Sequence, residues 1–348
     1  MKKLKKFRKF NFLKLSIVTV LMMSCNNKNK FDGPDAASLE TVEQAFPDLR
    51  GQIKKGYYEG SEVIYENIDG NYVYEGDIIL DKKFVTDHVE DLIHNEGDDV
   101  STSRSVGRTR ARWPNNTVYY SIASNLPYKY RVTDAIRHWE ANTNVKFVKR
   151  TNQKNYVYFR PGKGCSSYVG MIGGRQNINL ALGCGTGAAI HEIGHAVGLY
   201  HEQSRKDRDR YLTVNFNNIT NGKESNFKTY SERRRDGDEY TRALDFNSVM
   251  LYGSYAFSKN GRPTITKKNG STYRVNRKGL SSGDIVGINK MYPGSGSGGG
   301  YVKYVNGQYY RIGGLRVYRF LDRWWYWTRI KWREVKRVNG RWCWVKKK

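Results

Sequence analysis

The residues His191-Glu192-Ile193-Gly194-His195-Ala196-Val197-Gly198-Leu199-Tyr200-His201 constrain this chain more than any other stretch of it. His191 and His195 are four apart, so a helix sets them one turn apart on one face and both imidazoles can aim at one metal ion. Glu192, beside them, is placed to take a proton from a water that a metal activates. Gly198 can adopt a backbone conformation closed to other residues, which lets the helix stop and the chain swing His201 in as a third ligand. Three protein ligands leave a fourth position open, as catalytic zinc sites do; structural sites are closed, usually by cysteines. Gly183-Cys184-Gly185-Thr186-Gly187 supplies a turn before the helix, with Thr186 as the expected N-cap. Ala189, Ile190, Ile193, Ala196 and Val197 are expected to bury the helix and leave the imidazoles facing a cleft.

Five further segments carry a resemblance. His201-Glu202-Gln203-Ser204-Arg205-Lys206-Asp207-Arg208-Asp209 resembles the stretch that follows the third ligand in astacins, a branch of the metzincin zinc peptidases. Ser248-Val249-Met250-Leu251-Tyr252 resembles the Met-turn. Cys165-Ser166-Ser167-Tyr168-Val169-Gly170, with Cys184 later, resembles the cleft strand and disulfide loop. Ala256-Phe257-Ser258 with Pro263-Thr264-Ile265, and the run from Leu280 to Tyr292, resemble the segments that close the domain. The likeness runs from about Trp113 to Tyr292. Two departures stand out: Leu251 replaces the usual histidine of the Met-turn, which is not a ligand, and the second disulfide of the family has no cysteines here.

The resemblance implies a zinc metalloendopeptidase with one Zn2+ per subunit held by His191, His195 and His201. It would hydrolyse peptide bonds of a protein or peptide substrate with Glu192 as general base. Met250 would form the floor of the site. Tyr252 would ligate zinc at rest and swing away to hydrogen-bond the oxyanion, a role that suits a weak ligand and good donor; the alternative is a tyrosine packed in a wall. Glu202 would meet the new N-terminus of the activated enzyme, and Cys165 would pair with Cys184. Astacins often favour an acidic residue just after the cut bond, and Lys268, beside Lys267, is the candidate basic group here. The implied fold class is α+β, a metzincin-like catalytic domain with a twisted mixed sheet and two long helices over an irregular lower lobe. Strands over Thr117–Ile122, Lys146–Val148 and Tyr156–Arg160 and a helix over Thr133–Asn142 fit that order.

The front of the chain reads as an export signal. A basic stretch from Lys2 to Lys14 precedes an apolar run, Leu15 to Met23, too short to span a bilayer. It ends in a lipobox-like Leu21-Met22-Met23-Ser24-Cys25, so residues 1–24 are expected to be removed and Cys25 lipidated; an ordinary signal peptide is the alternative. Residues 25–110 read as a propeptide. Within it Tyr74-Glu75-Gly76-Asp77-Ile78 resembles the element of astacin propeptides whose aspartate displaces the catalytic water. Asp77 is thus the expected zymogen zinc ligand, against a plain turn between two strands. The Ser/Arg-rich stretch from Ser101 to Arg112 is open to an activating protease. On this reading the precursor is lipid-anchored in the membrane and the enzyme becomes extracellular on activation.

Residues 111–293 form the catalytic unit and 294–300 a Gly/Ser linker. Residues 301–348 are a small β-rich module with 14 Lys/Arg against 2 Asp/Glu; together with the nine lysines and arginines of the first thirty residues they carry most of the net charge of +27. Arg316–Phe320 and Trp327–Trp332 are expected as strands, with Asn339-Gly340 as a hairpin signal. Arginines interleaved with aromatics suit an acidic glycan or cell-surface polymer, rather than nucleic acid, which the expected compartment holds little of. The alternative is a sheet that uses its tryptophans as core. Cys343 has no evident partner. A surface glycan-binding or adhesion protein working through this tail is the competing function.

Overall fold

The computed structural model describes residues 42–58, 61–88, 93–94, 112–232, 240–294 and, with gaps at 313–314, 321–322, 329 and 339–340, 308–345. The expected export signal with Cys25, the cleavable stretch up to residue 111 and the linker beyond Gly294 lie outside them, as does the side chain of Cys343. Among the described residues no helix is long and apolar enough to cross a membrane.

Alternating apolar residues build an antiparallel sheet ahead of the unit expected to be the catalytic domain. Its strands are β1 (Gln52–Tyr58), β2 (Ser61–Ile68), β3 (Asn71–Tyr74), β4 (Ile78–Leu80) and β5 (Val85–Thr86), in the order β4-β3-β2-β1-β5. Val63, Tyr65, Tyr74, Ile78 and Leu80 bury one face and pack with Val169 and Tyr200 of the catalytic domain. A two-residue strand, β6 (Ile93–His94), follows.

The catalytic domain starts with β7 (Thr117–Ile122), α1 (Tyr130–Asn142), β8 (Lys146–Lys149), β9 (Tyr156–Pro161), β10 (Cys165–Ser166), β11 (Arg175–Leu180) and α2 (Thr186–Ala196). The sheet runs β10-β11-β9-β7-β8, parallel except for β10, which lies antiparallel to β11 at the edge. This is the expected mixed sheet. Helix α1 starts three residues before Thr133 and buries Val132, Ala135, Ile136 and Trp139; the Trp139 indole donates to the Ile190 carbonyl of α2 at 3.1 Å. The buried Arg131 guanidinium donates to the carbonyls of Ala181 and Cys184, fixing the loop that feeds α2. Cys165 and Cys184 form a disulfide across that loop.

The cap of α2 differs from expectation. Gly185, in extended backbone, holds the cap position with no side-chain capping bond, and Thr186 is already helical. The disulfide fixes Cys184 one residue ahead, so the chain must turn at Gly185. At the other end Trp113 and Tyr292 donate to the carbonyls of Ala196 and Val197, groups a helix terminus leaves unpaired.

The lower half is irregular, as expected, with short 3-10 turns and one pair of strands, β12 (Leu212–Val214) and β13 (Ile265–Lys267). Leu212, Ile219, Phe227, Tyr252 and Ile265 make its core. Helix α3 (Ser282–Met291) opens with a capping box of Ser281 and Asp284. Asp284 also accepts from Ser248 Oγ and Val249 N, so the closing helix grips the Met-turn.

The tail forms β14 (Gln308–Ile312), β15 (Leu315–Phe320), β16 (Arg323–Trp327), β17 (Trp332–Val338) and β18 (Arg341–Trp344). These strands run antiparallel in sequence order, and β6 adds in parallel beside β18, so this sheet draws a strand from upstream of the catalytic domain. The strand expected over Trp327–Trp332 is instead a hairpin: Trp327 pairs with Trp332, and Thr328 N and Oγ1 both donate to the Lys331 carbonyl. A threonine able to satisfy a turn carbonyl twice outweighs the aromatic alternation around it. Val338 pairs with Arg341, as the hairpin signal asks. Among the described side chains Val317 and Val335 are buried, Trp324, Trp325 and Trp344 are half-buried, and Trp327 and Trp332 are exposed.

Candidate metal centre

Helix α2 presents His191 and His195 on one face, and Gly198, at φ 109°, reverses the chain so that His201 returns to them. All three rings are buried, and each is oriented by a hydrogen bond from Nδ1. His191 donates to the Val249 carbonyl at 2.8 Å, His195 to the Leu199 carbonyl at 2.8 Å, and His201 to Glu75 Oε2 at 2.7 Å. The Nε2 atoms therefore converge, and Asp77 meets them. Its Oδ2 lies 3.2 Å from His191 Nε2 and 3.1 Å from His201 Nε2, while Oδ1 lies 3.7 Å from His195 Nε2. One ligand atom from each of the four residues falls within a span of 4.8 Å.

This donor set fits zinc. Three imidazole nitrogens and one carboxylate oxygen are its usual ligands, in its usual number. Asp77 Oδ1 and His195 Nε2 are buried without a hydrogen-bond partner, a cost that a shared cation removes. Burial pulls the His195 imidazole down to about 4 and keeps it in the neutral, ligating form. Burial alone would raise the Asp77 carboxyl, but the charge of His201, with the rings of His191 and His195 close by, outweighs it and holds the carboxyl well below the usual range.

Both oxygens of Glu192 are also buried and unpartnered. Burial first, then the charges of Asp77 and Glu43, push its carboxyl well above the usual range, with Arg277 pulling the other way. A carboxyl with free lone pairs beside a metal pocket is suited to holding and passing a proton. Met250 lies beneath the helix; a Cβ on Gly194 would sit 2.6 Å from its sulfur, so the glycine inside the motif admits the methionine floor. Tyr252 is fully buried against His201, ring centroids 4.5 Å apart, and its phenol donates to the Glu75 carbonyl.

Glu75-Gly76-Asp77 is the turn between β3 and β4, closed by the Tyr74–Ile78 pair, and the tip of that hairpin enters the histidine cluster. Gly76, at φ 89°, also passes so close to Phe257 that a Cβ would lie 2.7 Å from its ring. The hairpin and the segment before β1 are fastened along the cleft edge: Ser167 N donates to Asp77 O at 3.0 Å, Ile79 N to Ser167 O at 2.8 Å, and Cys165 N to Gln44 O at 2.9 Å. Two buried ion pairs add to this, Glu43 with Arg277 and Glu66 with Lys223. Burial would raise Glu43, but the Arg277 guanidinium outweighs it and holds the carboxyl below its usual range.

Glu202 accepts from Asp245 N and borders a cavity of about 80 Å³ that also involves Thr241, Asp284 and Met291; burial pushes its carboxyl up to about 8. Lys268 is exposed and bonded through its backbone to Tyr211. No contact among the described residues brings it to the histidine cluster. Arg277 is there instead: its Nη1 donates at 2.8 Å to the Val249 carbonyl, the acceptor that also orients His191. Sequence reasoning missed Arg277, Glu43 and Glu75. Only Glu75 carried a signal, as the neighbour of Asp77 in the propeptide element.

Comparison with known proteins agrees with the site. The profile of the Astacin peptidase family matches residues 105–293. Zinc metalloproteinase nas-4 of Caenorhabditis elegans is 36% identical over 278 residues, spanning 77% of this chain and 84% of that protein. Astacin-like metalloprotease toxin 1 of Loxosceles intermedia is 35% identical over 275 residues, 72% of this chain and 95% of the relative. Among solved structures, high choriolytic enzyme 1, a hatching enzyme zinc-protease from Oryzias latipes, matches 53% of this chain and 94% of its own at 32% identity, with a TM-score of 0.49.

Proposed function

The chain belongs to the astacin family of zinc metalloendopeptidases, and on that premise we propose that it is made as an exported, latent precursor in which residues 25–110 plug the active site. The observation that carries this is Asp77 seated among His191, His195 and His201, where its carboxylate would take the zinc position that catalysis needs open. When bound, zinc supplies an activated water and polarises the scissile carbonyl. Glu192 would take a proton from the attacking water and deliver it to the departing amine. Tyr252, once released from the Glu75 carbonyl, would donate to the developing oxyanion. Glu202 is in place to receive the ammonium of the newly cut N-terminus, whose charge would return its raised pKa toward normal.

The acidic preference falls to Arg277 rather than Lys268. Glu43 occupies its guanidinium in the precursor, and removing the propeptide leaves a carboxylate-binding fork beside the zinc ligands. Arg277→Gln should lower kcat/KM for peptides with Asp after the cut bond by roughly 10–100-fold relative to matched Ala peptides, the worth of hydrogen bonds to a charged group. An equal loss on both peptides, measured side by side, would remove Arg277 from specificity.

The disulfide suits an oxidising, exported location, and the lipid anchor at Cys25 is part of the same proposal. The exposed, arginine-studded tail is proposed to attach the protein to an acidic glycan. Protein ending at Tyr292 separates the protease from the adhesion reading. After propeptide removal it should cleave casein, lose that activity to a zinc chelator and regain it with zinc, while losing retention on an acidic polysaccharide column. Casein cleavage absent from the truncated protein but present in the full chain would favour the tail as the working part.

A further inference from the structure

The three ligand histidines are not oriented by equivalent partners. His191 and His195 donate from Nδ1 to the carbonyls of Val249 and Leu199, both belonging to the catalytic domain. His201 donates at 2.7 Å to the carboxylate of Glu75, which precedes the cleavable stretch. Glu75 is 1% exposed and held in left-handed backbone at φ 50°, with its carbonyl accepting the Tyr252 phenol. Its position is thus set from both the side chain and the main chain. The partner on Nδ1 decides which ring nitrogen carries the proton and leaves the Nε2 lone pair facing the metal. A carboxylate in that place also makes the imidazole a stronger donor than a carbonyl does.

We propose that Glu75 is an outer-shell zinc residue supplied by the propeptide: by orienting His201 it lets the uncut chain hold its metal more firmly than Asp77 alone provides. The inference rests on the latency reading above and gives the hairpin tip a second function. Asp77 fills the open position, whereas Glu75 tightens one of the ligands that remain after cleavage. Glu75 is a positioning residue and touches no reacting atom. Activation then removes an inhibitor and loosens the metal in the same event.

The competing explanation is that Glu75 only anchors the hairpin. Uncut full-length protein, wild type, Glu75→Gln and Glu75→Ala, would be loaded with zinc and challenged with a chelator, with metal release timed by a zinc indicator. Glu75→Ala should release zinc 10- to 100-fold faster than wild type, the usual effect of losing an outer-shell partner. Glu75→Gln should fall between them, because an amide oxygen accepts the same bond without the charge. Glu66→Gln weakens the separate Lys223 anchor without touching His201, and should release zinc at the wild-type rate. Equal rates in the wild type and both Glu75 variants overturn the proposal. So does equal acceleration in Glu66→Gln, which would assign the effect to anchoring. Should Glu75→Ala fail to fold, the comparison of Glu75→Gln with Glu66→Gln still decides. Failure of the latency reading looks different: uncut wild-type protein would cleave a peptide at the processed rate, whatever Glu75 does to metal release.

Discussion

Glu192→Gln is expected to retain zinc at the wild-type level while kcat on a peptide substrate falls by about 10²–10⁴-fold, the range assigned to a positioned general acid–base group. The two effects separate because Glu192 is not one of the residues that converge on the metal; the gathered donors are Asp77, His191, His195 and His201. Glutamine nearly preserves the volume and keeps an acceptor oxygen in a fully buried position, so packing around α2 is disturbed little. What it loses is the ability to gain and release a proton. Metal content by atomic absorption and single-turnover kinetics on the same preparation check the claim. A variant that turns over normally removes Glu192 from the chemistry, and one that loses its zinc shows that the glutamate is structural instead.

Asp77→Ala in the uncut chain should produce a precursor that cleaves peptides without processing. Asp77 lies within 3.7 Å of the Nε2 atoms of all three imidazoles and is shut away from solvent. Removing one partner from a buried charge cluster costs about 3–5 kcal/mol, which shifts the balance between plugged and open cleft by roughly 10² to several times 10³-fold. The remaining grip comes from Glu43 on Arg277, Glu66 on Lys223 and the edge bonds at Ser167, so activity should rise strongly yet stop short of the processed enzyme. Peptide cleavage by the uncut variant, compared with wild type before and after propeptide removal, gives the result. An uncut Asp77→Ala protein as silent as wild type would show that steric occlusion, rather than the metal contact, enforces latency.

The legible part of this chain was the part whose geometry is local. The ligand spacing, Gly198 and the Met-turn lie within short stretches where helix periodicity and one turn decide everything, and the strands near Thr117, Lys146 and Tyr156 announce themselves by β-branched and aromatic runs. Asp77 was reachable only through the resemblance, since nothing about a Gly-Asp turn says that it will be carried over a hundred residues along the chain into a histidine cluster. Arg277 and Glu43 were out of reach: each is an ordinary charged residue in a basic chain, and their pairing is set by tertiary structure alone. The tail misled for a different reason. Its aromatic alternation is real on both sides of Thr328, but a side chain that completes a turn overrides a pattern that only describes faces.

The hairpin tip has one more consequence. A peptidase attacks a stretched backbone whose carbonyl it can line up within a few ångströms of its nucleophile. What enters this cleft is a tight reversal, with Glu75 and Gly76 both at positive φ and the strand beyond running parallel to the rim at Ser167. A reversed backbone does not offer the stretched carbonyl such a cleft attacks, so on the latent-precursor proposal the chain would rest against its own blade without being severed there, and the first cut would come from elsewhere along the molecule or from another one.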